Sequence, residues 1–170
     1  MKDTFIDTVL SNWPSVMKEY ESITRTIPLR DFSETPNPTP DWRAITLWWN
    51  YKPLAPFQDK MPFTTNLVRE GPSHRATGWL LLHPHARTPK HAHLDWGHKI
   101  IVHIPTYIPE GDVGFYVGGD IHRWKVGEVF AFDCYQPHYG FNNTNEIRSI
   151  MVMDFDYDEW YDVLKPYMTL

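Results

Sequence analysis

Apolar positions change their spacing along the chain. Over residues 5–20, Phe5, Ile6, Val9, Leu10, Trp13, Val16, Met17 and Tyr20 recur at three- and four-residue steps. That is the signature of one buried helical face, which Pro14 bends or divides. Residues 32–40 (FSETPNPTP) read as a turn-rich loop, 44–51 as a strand, the stretch through Pro53 and Pro56 as a second loop, and 62–69 as a short helix. From Gly78 onward the spacing is that of β structure, with strands expected at 78–83, 99–105, 113–117, 122–125, 128–132 and 148–155. Turn residues at 109–111, 118–120, 127 and 142–146 separate them. Near the end, Trp160, Val163, Leu164 and Tyr167 share a helical face behind Asp156, a residue suited to an N-cap. Short strands with no helices between them predict an antiparallel barrel or two-sheet sandwich, here with a helix at each end.

A chain of 170 residues fits one domain spanning 1–170. Its expected parts are a helical lead-in at 1–25, a β core over about 42–155 and a C-terminal helix at 156–167. Hydrophobic residues at 42% with charged residues at 22% exclude disorder as a description of the whole chain. The net charge of −5 argues against a nucleic-acid partner. A single cysteine, Cys134, rules out an internal disulfide and suits a reducing compartment. The first residues contain Asp3 and Asp7 without an unbroken apolar run, so no signal peptide is expected, and no stretch reaches membrane-span length. These features predict a cytoplasmic protein with no membrane partner.

Histidine distribution changes the picture. Of nine histidines, six fall between His83 and His103. Within that segment His93 and Asp95 form an H-x-D pair, and in extended backbone residues two apart project to the same side. His138, 45 residues after His93, supplies a third donor. Two histidines and a carboxylate on one face, with positions left open, form the facial triad of non-haem Fe(II) oxygenases. Ten residues after His138, Arg148 opens the apolar run SIMVM. A cation entering an apolar strand needs an anionic partner, and a guanidinium fork suits a carboxylate such as the distal end of 2-oxoglutarate. His103, in the strand KIIVHIP with Lys99 and Ile101 on its face, is placed to hydrogen-bond the same cosubstrate. An H-x-D pair alone is common, and a lone strand histidine is usually a core residue; the conjunction carries the metal reading. Trp124 and Trp160 read as core aromatics and Asp133 as a turn cap.

The run from Trp124 through Gly127, EVFAFD, CYQP-His138, YGFNNTNEI-Arg148 and SIMVM to Asp154 resembles the aspartyl/asparaginyl β-hydroxylase family of Fe(II)/2-oxoglutarate oxygenases. LHPHARTPKH resembles the turn before that family's first metal ligand, 99–105 its following strand with His103 at the family's histidine, and MPFTTNLV more weakly a preceding helix. The resemblance covers roughly 42–162. It implies a double-stranded β-helix, or jelly roll, of the kind also seen in cupins. It further implies iron held by His93, Asp95 and His138, with 2-oxoglutarate anchored by Arg148. The activity it implies is hydroxylation of an unactivated carbon in an amino-acid unit, coupled to conversion of 2-oxoglutarate and O2 to succinate and CO2.

Aligned through ARTPKH without a gap, the first ligand is instead His91, and His93 stands at the carboxylate position. Aligned by ligand chemistry, the set is His93, Asp95 and His138, which is preferred here because it keeps a carboxylate. The family also has an arginine where this chain has Ile101, and Lys99 on the same strand face is the expected substitute. Two other classes stand beside this one. His91-x-His93 with His138 and Asn142 is similar to a cupin metal site, which would mean a dioxygenase or isomerase working without 2-oxoglutarate. A non-catalytic β-barrel binding module would show no tight Fe(II) site. The substrate is expected to be a small molecule or a peptide, with Trp48, Trp49, Tyr51, Trp96 and Arg123 as candidate residues at the pocket mouth.

Overall fold

A computed structural model describes residues 2–26 and 41–168; the loop expected at 32–40 lies outside them. Helix α1 (Phe5–Ser11) stops at Asn12 and α2 (Trp13–Thr26) begins at once, placing Pro14 in the first turn of the second helix. There the missing N–H would have had no partner anyway, so the proline starts α2 and the helix continues past Tyr20 to bury Ile23. Glu19, on α2, accepts hydrogen bonds from the Phe63 and Thr64 backbone N–H groups and the Thr64 hydroxyl. It thereby caps α4 (Pro62–Leu67), which follows the short α3 (Ala55–Gln58).

Among the described residues, ten strands form two antiparallel sheets. The larger runs β2 (Lys52–Pro53), β1 (Trp42–Trp49), β3 (Ala76–Leu82), β10 (Arg148–Asp156), β5 (Lys99–Tyr107), β8 (Phe130–Asp133). The smaller runs β4 (Ala86–Arg87), β9 (His138–Asn142), β6 (Val113–Val117), β7 (Asp120–His122). With helices packed on the outer face of the larger sheet, this is the expected jelly roll with flanking helices. The near-continuous apolar run of β5 now has a cause, since both faces of that strand are buried. Ile100, Val102 and Ile104 join Met151, Met153 and Phe155 in the core shared with α1, α2 and α5 (Tyr157–Leu164). Ile101 points the other way and packs with Phe115, Trp124, Phe130 and Phe132 inside the roll.

The expected strands at 122–125 and 128–132 are shifted. β7 ends at His122 in one sheet and β8 begins at Phe130 in the other, so 123–129 form the crossing between sheets, tightened by a Glu128 N–H to Lys125 carbonyl bond. Gly78 sits opposite the irregularity in β1 between Thr46 and Trp48, where an added Cβ would lie 2.1 Å from the Ile45 carbonyl oxygen. Only glycine lets β3 approach β1 there. Asp156 precedes α5 without a side-chain cap bond; its carboxylate is paired instead with Lys99. Among the described residues, no helix is long and apolar enough to cross a membrane.

A candidate metal and anion site inside the roll

His91 and His138 face each other as an antiparallel bridge pair. The His91 N–H donates to the His138 carbonyl at 3.0 Å and the reverse bond is 2.8 Å. The chain stays extended to His93, whose N–H donates to the Cys134 carbonyl at 2.9 Å. His91 and His93 are therefore two apart in extended backbone, and His138 lies opposite the first. Their donor nitrogens all fall within 4.8 Å of one another. His91 Nδ1 lies 2.7 Å from the Pro89 carbonyl and His138 Nδ1 2.7 Å from the Gln136 carbonyl. Both Nδ1 atoms act as donors to these acceptors, leaving each Nε2 lone pair for a cation, the usual outer-shell arrangement of metal-binding histidines. His93 is oriented by stacking on Trp96, with ring centres 3.8 Å apart.

Below the histidines a cavity of about 480 Å³ runs inward between the sheets. At its floor lies Arg148, 3% exposed, with its guanidinium 4.8 Å from the centre of the Trp124 ring. The side chain donates to the Leu80 carbonyl at 3.4 Å, while its Nε has no partner among the described residues. Neither has His103 Nδ1 nor Trp124 Nε1. A Cβ on Gly140 would come within 3.1 Å of Arg148 Nη2, so the glycine in β9 leaves the space that the guanidinium uses. Unpaired buried polar atoms are costly, and one on a buried cation with two more beside it describe a cradle for an anion.

The sequence model of the aspartyl/asparaginyl β-hydroxylases matches residues 10–157. The chain belongs to that family. No curated protein sequence matches it. Among solved structures, an oxidoreductase of the 2OG-Fe(II) oxygenase family from Burkholderia pseudomallei superposes with a TM-score of 0.59 at 12% identity, covering 82% of this chain and 77% of that one. A cupin 2 conserved barrel domain protein from Salinispora arenicola gives 0.39 at 16% identity, covering 54% and 71%. At 12% identity the likeness to the oxygenase concerns the fold; family membership identifies the chain as a hydroxylase.

In this hydroxylase the electrostatics suit a cation at the histidines. Burial, then the neighbouring His138, His91 and Arg75, holds the His93 pKa down to about 3. Burial also lowers His138 to about 4, against a hydrogen bond to Gln136 that raises it. These imidazoles are neutral at pH 7, as metal ligation requires. Burial pushes Arg148 down to about 9, and His103 is lowered by burial, then by Arg148, His138 and His122. The donor set thus fits a divalent metal, and the floor fits a carboxylate.

Several expected site residues sit elsewhere. His91 and His93, alternatives for the first ligand in the oxygenase reading and paired in the cupin-like one, belong to one cluster with His138. Asp95 lines the cavity but is not in that cluster. The reason is local: the Trp96 N–H bonds back to the His93 carbonyl at 3.2 Å, closing a turn with Leu94 and Asp95 at its corners. The extended geometry assumed for H-x-D therefore ends at His93. Lys99, expected at the cosubstrate, does not line the cavity; it is ion-paired with Asp156 at the end of β5. Trp49 and Trp96 line the cavity mouth, whereas Trp48 stacks on His74 and Arg123 pairs with Asp112 at 2.7 Å. Tyr51 is exposed and lies outside the cavity lining. Trp124 and Trp160 are buried, and Asp133 accepts the Tyr135 N–H as a turn residue. Arg75, at the cavity wall, was missed. It carries the same signal that marked Arg148, a cation at the entry to an apolar strand (ATGWLLL).

Proposed function

We propose that this hydroxylase depends on Fe(II) and 2-oxoglutarate and hydroxylates an unactivated carbon of an amino-acid unit. The observation that carries the reading is Arg148: a buried guanidinium with no carboxylate partner among the described residues, at the floor of the cavity whose rim holds His91, His93 and His138. Iron bound there would supply O2 activation coupled to oxidation of the keto acid. The protein's own contributions follow from its side chains. The three imidazoles present lone pairs while Pro89 and Gln136 hold two of the rings. Arg148, with His103 and Trp124 beside it, receives the distal carboxylate of 2-oxoglutarate and so sets which end of the keto acid faces the histidines. The apolar wall of Ile101, Phe115, Phe132 and Ile150 keeps water from the reacting centre.

One observation favours a second reading. A donor set of three histidines without a carboxylate also suits a cupin-type dioxygenase that does not use 2-oxoglutarate. Anaerobic titration with Fe(II) and then 2-oxoglutarate separates the two. Chelation of iron by the keto acid is expected to produce a visible charge-transfer band, weakened in Arg148→Ala. Saturating iron without a band overturns the 2-oxoglutarate reading in favour of the cupin type.

A further inference from the structure

The cavity holds a second guanidinium. Arg75 leads into β3, and its backbone is tied down on both sides. The Asp154 carboxylate accepts the Arg75 and Ala76 N–H groups at 3.1 and 2.8 Å, and the Arg75 carbonyl accepts the Asn50 N–H at 2.9 Å. That buried carboxylate, which also accepts the Ser73 hydroxyl, is thus committed to the backbone amides and that side chain. The side chain is held separately, with its guanidinium carbon 5.3 Å from the Trp49 ring centre and 4.8 Å from that of Trp96. The two indoles meet edge to face at 6.1 Å. Arg75 Nη1 is buried without a hydrogen-bond partner, and no carboxylate among the described residues pairs with the side chain.

Aromatic faces hold a guanidinium in place without satisfying its N–H groups, which lie in the plane of the guanidinium itself. The result is a pre-oriented fork beside His93, whose charged form Arg75 disfavours. The electrostatic count points the same way. Imidazole ligands carry no negative charge to offset a divalent ion, and Arg148 and Arg75 add two more positive charges to one enclosed space, whose lining holds one carboxylate, the exposed Asp95. A single dicarboxylate at Arg148 leaves Arg75 unanswered.

We propose that Arg75 receives the carboxylate of the primary substrate, and that this substrate is a small free carboxylic acid, an amino acid included, with an apolar body. The inference rests on the Fe(II)/2-oxoglutarate reading, which assigns Arg148 to the cosubstrate. A cavity of about 480 Å³ that also holds a dicarboxylate has room for a small molecule. Trp49 and Trp96 at its mouth supply flat apolar surface beside the cation.

The test uses the full-length protein, anaerobic, with Fe(II) and 2-oxoglutarate, titrated with free amino acids and short carboxylic acids, their methyl esters, and acetylated, amidated peptides containing Asp. Binding is read by calorimetry and by perturbation of the charge-transfer band. At least one free acid is expected to bind, its ester roughly tenfold or more weaker. Arg75→Gln should lose roughly 10- to 100-fold in affinity for that acid. Its 2-oxoglutarate midpoint should stay within about twofold of wild type, and Arg75→Lys should recover part of the loss. Near-ultraviolet circular dichroism of both variants checks that the fold is kept. Equal binding of acid and ester, unchanged binding in Arg75→Gln, or no binding by any acid overturns the proposal. So does loss of the 2-oxoglutarate band in Arg75→Gln, which would give Arg75 to the cosubstrate. Binding confined to the capped peptides overturns the small-molecule assignment. If wild type gives no band but binds an acid through Arg75 by calorimetry, the 2-oxoglutarate reading fails while the Arg75 site stands.

Discussion

The two faces of the larger sheet treat buried polar groups differently. On the face covered by helices, the Tyr20 hydroxyl donates to Ser149 at 2.8 Å and Trp79 Nε1 donates to Thr106 at 3.0 Å. At the end of β5 the Lys99 ammonium has Asp156. On the face turned into the roll, Arg148 Nε, His103 Nδ1 and Trp124 Nε1 have no hydrogen-bond partner among the described residues. The same strands, β5 and β10, contribute to both faces, so backbone geometry does not explain the contrast. A protein that satisfies its polar groups on one side of a strand and leaves them open on the other has reserved the open side for a ligand. Lys99 and Arg148 make the point as a pair: both are buried cations, and only the one outside the cavity carries its own counter-ion.

The largest expected effect strikes the cluster above those open groups. His138→Ala removes the most buried of the three donors. It should lower metal affinity by more than the 10- to 100-fold that outer-shell changes typically cost, and abolish hydroxylation. Calorimetry with Fe(II) or a spectroscopically silent substitute checks it.

A pair of variants then tests whether the two faces really differ. Arg148→Met removes an unpaired buried charge, so the melting temperature should hold or rise while 2-oxoglutarate affinity falls by roughly 100-fold. Met153→Ala, on the helix side of the same strand, should do the opposite. It should cost about 2–5 kcal/mol of stability in denaturant titration and leave cosubstrate affinity unchanged in the folded fraction. Strong destabilisation by Arg148→Met would mean that the arginine holds the fold rather than a ligand.

This contrast also separates what was legible in the sequence from what was not. The strands at 78–83, 99–105, 113–117 and 148–155 were readable because apolar runs bounded by turn residues specify them locally. β9 was not: HYGFN, with its polar ends and central glycine, becomes a strand through pairing with β6 and β4. For the site, the histidine segment, Arg148 and His103 stood out by residue type and strand position. The grouping of His91 with His93 was readable in the gap-free alignment and in the cupin-like reading but was not the preferred set, because the choice depends on where the extended chain stops, and one turn bond at Trp96 decides that. Lys99 was misplaced for a related reason. Residues sharing a strand face need not share a cavity when one sits at the strand end, beside a carboxylate from a different element.

A smaller effect concerns protons. His93 and His138 titrate near 3 and 4 in the folded chain, below the ordinary value near 6.5 of the unfolded one. Between those limits the unfolded state binds more protons, so metal-free protein should be fully stable above about pH 6.5 and lose stability as pH falls towards 4. The His93→Gln, His138→Gln double variant should show a shallower loss over that window in thermal melts. Equal slopes would show that other groups govern the acid limb.

The smallest expected change distinguishes the two ligand registers. Asp95 is exposed at the corner of the turn that follows His93, outside the three-histidine cluster. Asp95→Asn should therefore alter metal affinity by no more than a few-fold, the scale of an exposed charge acting across solvent. His91→Ala, at the bridge pair with His138, should weaken it far more. If Asp95→Asn instead matches His138→Ala, the turn at 93–96 must open when metal binds. The carboxylate would then join the donor set, and the charge count that leaves Arg75 in need of an anion would drop by one.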